Sequence, residues 1–197
     1  MQKEFENDLE SSLFWLRGEG ILLYPTDTVW GLGCDATNEI AIQRIIELKR
    51  RPQNKSFVIL VANEEQLQLY VNKMDDALSA YLAEVRKPTT VIYPNAGGLA
   101  PSALATDGSV AIRICRDPFC QQLLLKSGKP LLSTSANLSG QTAPALFKEI
   151  DPIIRCGVDF VVRYRQKDNN RSEPSTIVKW HPEKLGIKQN PIEIIRL

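Results

Sequence analysis

Four segments of the chain carry polar residues in patterns that a fold alone does not ask for. Tyr24 to Gly33, YPTDTVWGLG, ends an apolar run with hydroxyls, a carboxylate and two glycines that permit close backbone approach. Thr26, Asp27 and Thr28 could serve a ligand there, or they could bond their own backbone as turn residues do. Lys49 to Lys55, KRRPQNK, crowds four cations around Pro52. Such a cluster suits the C-terminal end of a helix. The same charges could also clamp phosphate, Arg as a planar fork and Lys as a point charge. Ser133 to Gly140, STSANLSG, packs four hydroxyls, an amide and a glycine into eight residues after an apolar run. Small donors and free backbone N–H groups can cradle phosphate oxygens, and ligands of open α/β sheets sit beyond the carboxyl ends of strands. A polar loop capping the next helix is the alternative. Arg113 stands alone in the apolar run VAIRIC, where it could point to the solvated face of a half-covered sheet or wait in a cleft for a carboxylate.

Other chemistries are poorly supplied. His181 is the only histidine, so no Ser-His-Asp arrangement can be assembled. Cys34, Cys115, Cys120 and Cys156 form no CxxC pair, which argues against a zinc site and for buried free thiols in a reducing cytoplasm. Neither GxGxxG nor GxxxxGK[ST] occurs. The 24 Lys plus Arg against 23 Asp plus Glu leave a net charge of +1, so any basic site must be local. The N-terminal MQKEFENDLESSLF is acidic and lacks the apolar core of a signal peptide, and no apolar run approaches the roughly 20 residues of a membrane helix.

The elements that must position these residues alternate irregularly. Helices are expected near Asn7 to Arg17, near Asn38 to Lys49, after the cap Asn63, and from Asp117-Pro118 to Gly128. Strands are expected at Ile21 to Tyr24, Ser56 to Val61, Thr89 to Tyr93, Val110 to Cys115, from Leu131, at Asp159 to Tyr164, Ser175 to Trp180 and Ile192 to Arg196. Gln166 to Glu173 reads as a polar, mobile loop. At 197 residues and 43% hydrophobic, the chain suits one domain over residues 1–197. The fold class expected is α/β, a twisted open mixed sheet with flanking helices.

Taken together, the segments resemble the YrdC-like threonylcarbamoyl-AMP synthase family in its short form. The matching stretches are YPTDTVWGLG, K-R-R-P at Lys49 to Pro52, VAIR at Val110 to Arg113, STSANLSG, S-T-I-V at Ser175 to Val178 and I-I-R at Ile194 to Arg196. Their order and spacing match from about Ile21 onward. The resemblance implies a large basic cavity that takes ATP, L-threonine and bicarbonate, with magnesium accompanying ATP and no protein-only metal site. It implies an adenylate product passed to a complex that modifies tRNA, in the cytoplasm and away from membranes. By the same resemblance Thr28, Arg113, Ser133 and Ser175 bind threonine; Arg51, Lys55, Ser109, Ser135, Asn137 and Arg196 bind ATP; and Lys49 and Arg51 stabilise charge, with no covalent nucleophile. Two positions depart from the pattern: a family histidine that touches threonine falls at Leu60, and a nucleotide-contacting serine falls at Ala143, with Thr142 beside it. The alternative function is an RNA-binding or ribosome-assembly module that uses the same basic cavity without adenylate chemistry. Direct contact with RNA is left open.

Overall fold

The computed structural model describes residues 2–52, 56–71, 75–185 and 190–197. Nine strands form one mixed sheet in the order β7-β1-β2-β6-β3-β5-β4-β8-β9. They are β1 (Leu22–Tyr24), β2 (Gly31–Asp35), β3 (Val58–Val61), β4 (Thr89–Tyr93), β5 (Val110–Ile114), β6 (Leu131–Ser135), β7 (Phe160–Val161), β8 (Thr176–Trp180) and β9 (Ile192–Arg196). The β7–β1, β3–β5 and β4–β8 pairs are parallel. The β1–β2, β2–β6, β3–β6, β4–β5 and β8–β9 pairs are antiparallel. The helices are α1 (Gln2–Arg17), α2 (Glu39–Lys49), α3 (Glu64–Leu67), α4 (Asp76–Glu84), α5 (Pro118–Ser127) and α6 (Pro152–Cys156).

Alternation along the strands splits the core between the two faces of the sheet. Leu23, Leu32, Ile59, Ile112 and Leu132 pack with Ile42 and Ile45 of α2. Leu22, Tyr24, Leu60 and Leu131 pack on the other face with Leu9 of α1 and Phe119 and Leu123 of α5. Both faces of the sheet therefore carry an apolar core, as the near-continuous apolar runs of the central strands require. Helix α1 starts at Gln2 and takes in Asn7, the cap expected for it, while the caps expected at α2 and α5 form. The Asn38 side chain accepts the Ala41 N–H, Asp117 accepts those of Phe119 and Cys120, and Gly128 closes α5 in the left-handed conformation at φ 66°.

The structure departs from the sequence reading at several elements. The strand Gly31–Asp35 replaces the second half of the expected turn, and α4 and α6 were not expected. The two glycines of β2 serve close packing within a strand, since neither has a positive φ. A Cβ at Gly33 would lie 2.2 Å from the Leu132 carbonyl oxygen and 2.7 Å from the Tyr24 hydroxyl. One at Gly31 would meet Ser133 Oγ at 3.1 Å. Strand β7 has two residues rather than the six expected. Leu60 lies fully buried under α1 and α5.

Because backbone cannot yield as a side-chain tip can, Gly33→Ala is expected to destabilise the fold by about 3 kcal/mol in urea unfolding. Gly97→Ala, whose added methyl meets nothing within 4 Å, should stay within about 0.5 kcal/mol of the parent. Equal effects of the two substitutions would contradict the close-packing role of Gly33.

Candidate active site

A cavity of about 310 Å³ opens on the α1/α5 face, where those helices leave the sheet uncovered. Its floor is made by β2, β6, β3 and β5. Gly31 and Gly33 of β2 stand opposite Ser135 and Ser133 of β6, and Gly31 lines the cavity with the two serines. The size falls at the low end of small-molecule sites. Arg51, Arg113 and Arg196 line it, and no acidic side chain does so among the described residues.

Arg113 enters from β5 and is 6% exposed. Its Nη2 lies 3.2 Å from Asp27 Oδ1 and donates to Thr28 Oγ1 at 3.2 Å, while its Nε–H is buried without a partner among the described residues. Asp27 is held in turn: its other oxygen accepts the Arg116 N–H at 3.0 Å. The rest of the β1–β2 turn is pinned from outside. Arg165 donates to the Thr26 carbonyl and to Asp117, and the Cys120 thiol approaches the Pro25 carbonyl at 3.1 Å. The turn is therefore rigid where it meets the cavity, with Thr26, Thr28, Val29 and Trp30 on the wall.

Arg51 enters from the end of α2. Arg50 takes the left-handed conformation at φ 50°, and the Arg51 N–H returns to the Ile46 carbonyl. This closes the helix as a glycine usually would and turns the chain abruptly. The Arg51 side chain lies over the Phe57 ring at 4.6 Å and donates to the Ser56 carbonyl. Its Nε–H is buried without a partner among the described residues, and burial lowers its pKa.

Lys49 does not line the cavity. It is buried behind the wall, where its Nζ donates to the carbonyls of Ser135 and Asn137, and its own carbonyl accepts the Ser139 N–H. Burial, aided by the Arg51 charge, pulls its pKa down to about 7. A neutral amine keeps two N–H groups, one for each carbonyl, so the clip survives deprotonation.

Of the expected ligand residues, Thr28, Arg113, Ser133, Ser175, Arg51, Ser135 and Arg196 converge on this cavity. Ser175 shares a hydrogen bond with Thr90, and its carbonyl accepts from Arg196. Asn137 sits behind the wall and spends its amide N–H groups on Leu138 and Gln141. Ser109 precedes β5 in a turn, gives its N–H to Asp107, and does not line the cavity. Lys55 lies outside the described residues. Ala143 lines the cavity, whereas Leu60 belongs to the core. The sequence reading missed Ser56, Phe57 and Thr134 on the wall. Thr134 lay inside a motif already singled out, while Ser56 and Phe57 carry no pattern of their own.

The depressed Lys49 pKa has a definite sign for stability. Below pH 7 both the folded and unfolded chains keep the proton, and the burial penalty is complete. Between about 7 and 10.5 the unfolded chain still holds a proton that the folded chain has lost, so stability rises with pH. The unfolding free energy of the parent relative to Lys49→Met is thus expected to grow by roughly 2 kcal/mol from pH 7 to 9. A flat difference across that range would refute the buried, depressed amine.

Comparison with known proteins places this geometry in context. The Sua5–YciO–YrdC family model, described as "Telomere recombination", matches residues 15–196. A threonylcarbamoyl-AMP synthase of Vibrio cholerae is 35% identical over 173 residues, covering 86% of this chain and 91% of the relative. That of Vibrio vulnificus is 36% identical over 182 residues, covering 91% and 97%. Among solved structures, P. abyssi Sua5 complexed with L-threonine shares the fold with a TM-score of 0.77 at 23% identity, over 95% of this chain and 53% of that one. E. coli YciO does so with a TM-score of 0.78 at 21% identity, over 95% and 87%. With a family model spanning nearly the whole sheet and relatives above 30% identity over most of both chains, this chain belongs to the Sua5–YciO–YrdC family.

Proposed function

We propose that this chain is a threonylcarbamoyl-AMP synthase, making threonylcarbamoyl-AMP and pyrophosphate from ATP, L-threonine and bicarbonate. The observation that carries the reading is the pair of guanidinium groups, Arg51 and Arg113, brought from different elements onto one cavity that no acidic side chain among the described residues lines. Guanidinium groups that face one cavity suit an anionic ligand, which they meet as planar forks. Two such groups from different elements suit a substrate pair carrying a carboxylate and a phosphate chain. The names and overall match of the Vibrio relatives support the same activity.

Arg113 receives the amino-acid carboxylate, and Thr28, Ser133 and Ser175 complete that end. The threonine amine takes up bicarbonate with loss of water to give a carbamate. A carbamate oxygen then attacks the α-phosphorus of ATP, and the bond to the β-phosphate oxygen breaks to release pyrophosphate. Arg51 and Arg196 offset charge on the phosphates, with Ser135 donating beside them. Lys49 acts by holding the Ser135–Asn137 backbone in place. No covalent nucleophile is required, since position and electrostatics carry such transfers. Lys55, Ser109 and Asn137 remain proposed as further ATP contacts.

Magnesium finds no ready set of protein ligands. Among the described residues no three His, Cys, Asp or Glu side chains cluster, and Asp27 is committed to Arg113 and Arg116. Transfer of the adenylate to a tRNA-modifying complex in the cytoplasm belongs to the same proposal. None of the described helices is long and apolar enough to cross a membrane.

Arg51→Ala is expected to cut pyrophosphate release that depends on threonine and bicarbonate by roughly a hundredfold. Arg113→Lys keeps a charge beside Asp27 but loses the fork. It should raise the KM for threonine roughly thirtyfold or more while the melting temperature stays near the parent's. Calorimetric titration with L-threonine, against serine and valine, reads the substrate directly. Heat from none of them, together with tight salt-dependent binding of RNA, would replace this reading with the RNA-binding one.

A further inference from the structure

We propose that Thr26, which lines the cavity without being available to a ligand, is a positioning residue that fixes the Thr28 hydroxyl as a hydrogen-bond acceptor toward the substrate. The inference rests on the threonine-binding reading above and deepens it, because it says which end of the amino acid Thr28 can meet.

The case is a count of protons and lone pairs. A threonine hydroxyl has one proton and two lone pairs. Thr26 Oγ1 donates its proton to the Val29 carbonyl at 2.8 Å. It accepts the Thr28 N–H at 2.9 Å and stands 3.0 Å from Thr28 Oγ1. Its proton being spent, Thr26 must be the acceptor in the contact between the two hydroxyls, and Thr28 the donor. Thr26 is then saturated, with one bond given and two received.

Thr28 Oγ1 therefore has no proton left for a ligand. One of its lone pairs takes the Arg113 Nη2–H at 3.2 Å. The other remains, on a side chain that is 7% exposed and lines the cavity. A lone pair beside a guanidinium makes a two-part receptor of fixed polarity. Arg113 offers N–H groups to a carboxylate, and Thr28 offers an acceptor to the neighbouring ammonium or hydroxyl. A carboxylate oxygen against Thr28 would meet lone pair with lone pair. Asp27 strengthens the assignment, since its carboxylate 3.2 Å from Nη2 holds the guanidinium plane where Thr28 can receive from it. The turn thus reads both the presence and the direction of an α-amino acid.

Thr26→Ser keeps the hydroxyl and should keep the polarity, whereas Thr26→Val frees the Thr28 proton to point at the substrate's donor. By calorimetry, Thr26→Val should bind L-threonine at least tenfold more weakly than the parent, with ATP affinity changed less than threefold. Thr26→Ser should stay within threefold of the parent for both ligands. A merely structural defect would weaken both ligands together and would not be rescued by serine. Thr26→Val binding threonine like the parent, or Thr26→Ser failing as badly as Thr26→Val, would overturn the proposal. Neutron diffraction from the deuterium-exchanged, unliganded protein tests the polarity whatever binds. Deuterium on Thr28 Oγ1 directed at Thr26 is the expected result, and deuterium directed into the cavity would overturn it. Absence of threonine binding by the parent would count against the proposed function alone, and the neutron result would still decide the hydroxyl assignment.

Discussion

Everything about this site depends on one buried amine. Lys49 ends α2, and its Nζ reaches the carbonyls of Ser135 and Asn137 while its own carbonyl takes the Ser139 N–H. These bonds join segments more than 80 residues apart in sequence. They decide that the end of α2 and the loop after β6 face a common hollow. Burial of a lysine is unfavourable when the group stays charged, and here it drives the pKa down to about 7. The two carbonyls ask only for two N–H groups, so the fold can use the amine in either protonation state. Cationic residues next to one another need not share a role. Lys49 donates to two backbone carbonyls, and Arg51, two residues on, is turned into the cavity by the left-handed Arg50.

The second constraint is the packing of β2 against its neighbours. Gly33 leaves no room for a side chain between Leu132 and Tyr24, and Gly31 keeps the space beside Ser133 clear. A sheet face that would otherwise fill with side chains therefore stays low beside β6. Into this hollow comes Arg113, whose charge is matched by Asp27 at 3.2 Å, with side chains 6% and 9% exposed. A buried pair of this kind is weak evidence for stability, because desolvation offsets much of the attraction. Its better use is aim. Asp27 is tied to the Arg116 backbone, so the guanidinium is held by the sheet rather than by a flexible stem.

How much of this could be read from the sequence follows from which signals are local. Strands such as Val110–Ile114 and Thr89–Tyr93 are dense in β-branched residues and buried on both sides, and they were legible. Asp117-Pro118 announced α5, yet the same pair at Asp151-Pro152 opens α6 and went unread, because only one turn of helix follows. Helix α4 escaped because Leu78 alone is fully buried in it, so no apolar stripe marks a face. The close approach that the glycines of YPTDTVWGLG permit is legible, but a lone sequence does not show that the approaching atoms are the Leu132 carbonyl and the Tyr24 hydroxyl of neighbouring strands. The site motifs were legible as motifs. The division of labour inside them was not, because whether Lys49 faces a ligand or a carbonyl depends on contacts across the sheet. Ser109 shows the same limit: its polar backbone is absorbed by Asp107 in a local turn.

A near-neutral chain can still build a cationic cavity if its acids are placed elsewhere, and the ion pairs show how. Arg44 is matched by Asp159, Arg165 by Asp117 and Asp168, and Arg171 by Glu149. None of these pairs lines the cavity. Within the hollow, Arg51 rests on a carbonyl and an aromatic face, and Arg196 on the Ser175 carbonyl. Carbonyl dipoles hold a guanidinium in place without cancelling its charge, which remains available to an anion. The +1 net charge of the whole chain therefore says little about the field a ligand meets. That field is set by Arg51 and Arg196, which were given only carbonyls, while Arg113 faces the hollow with Asp27 beside it.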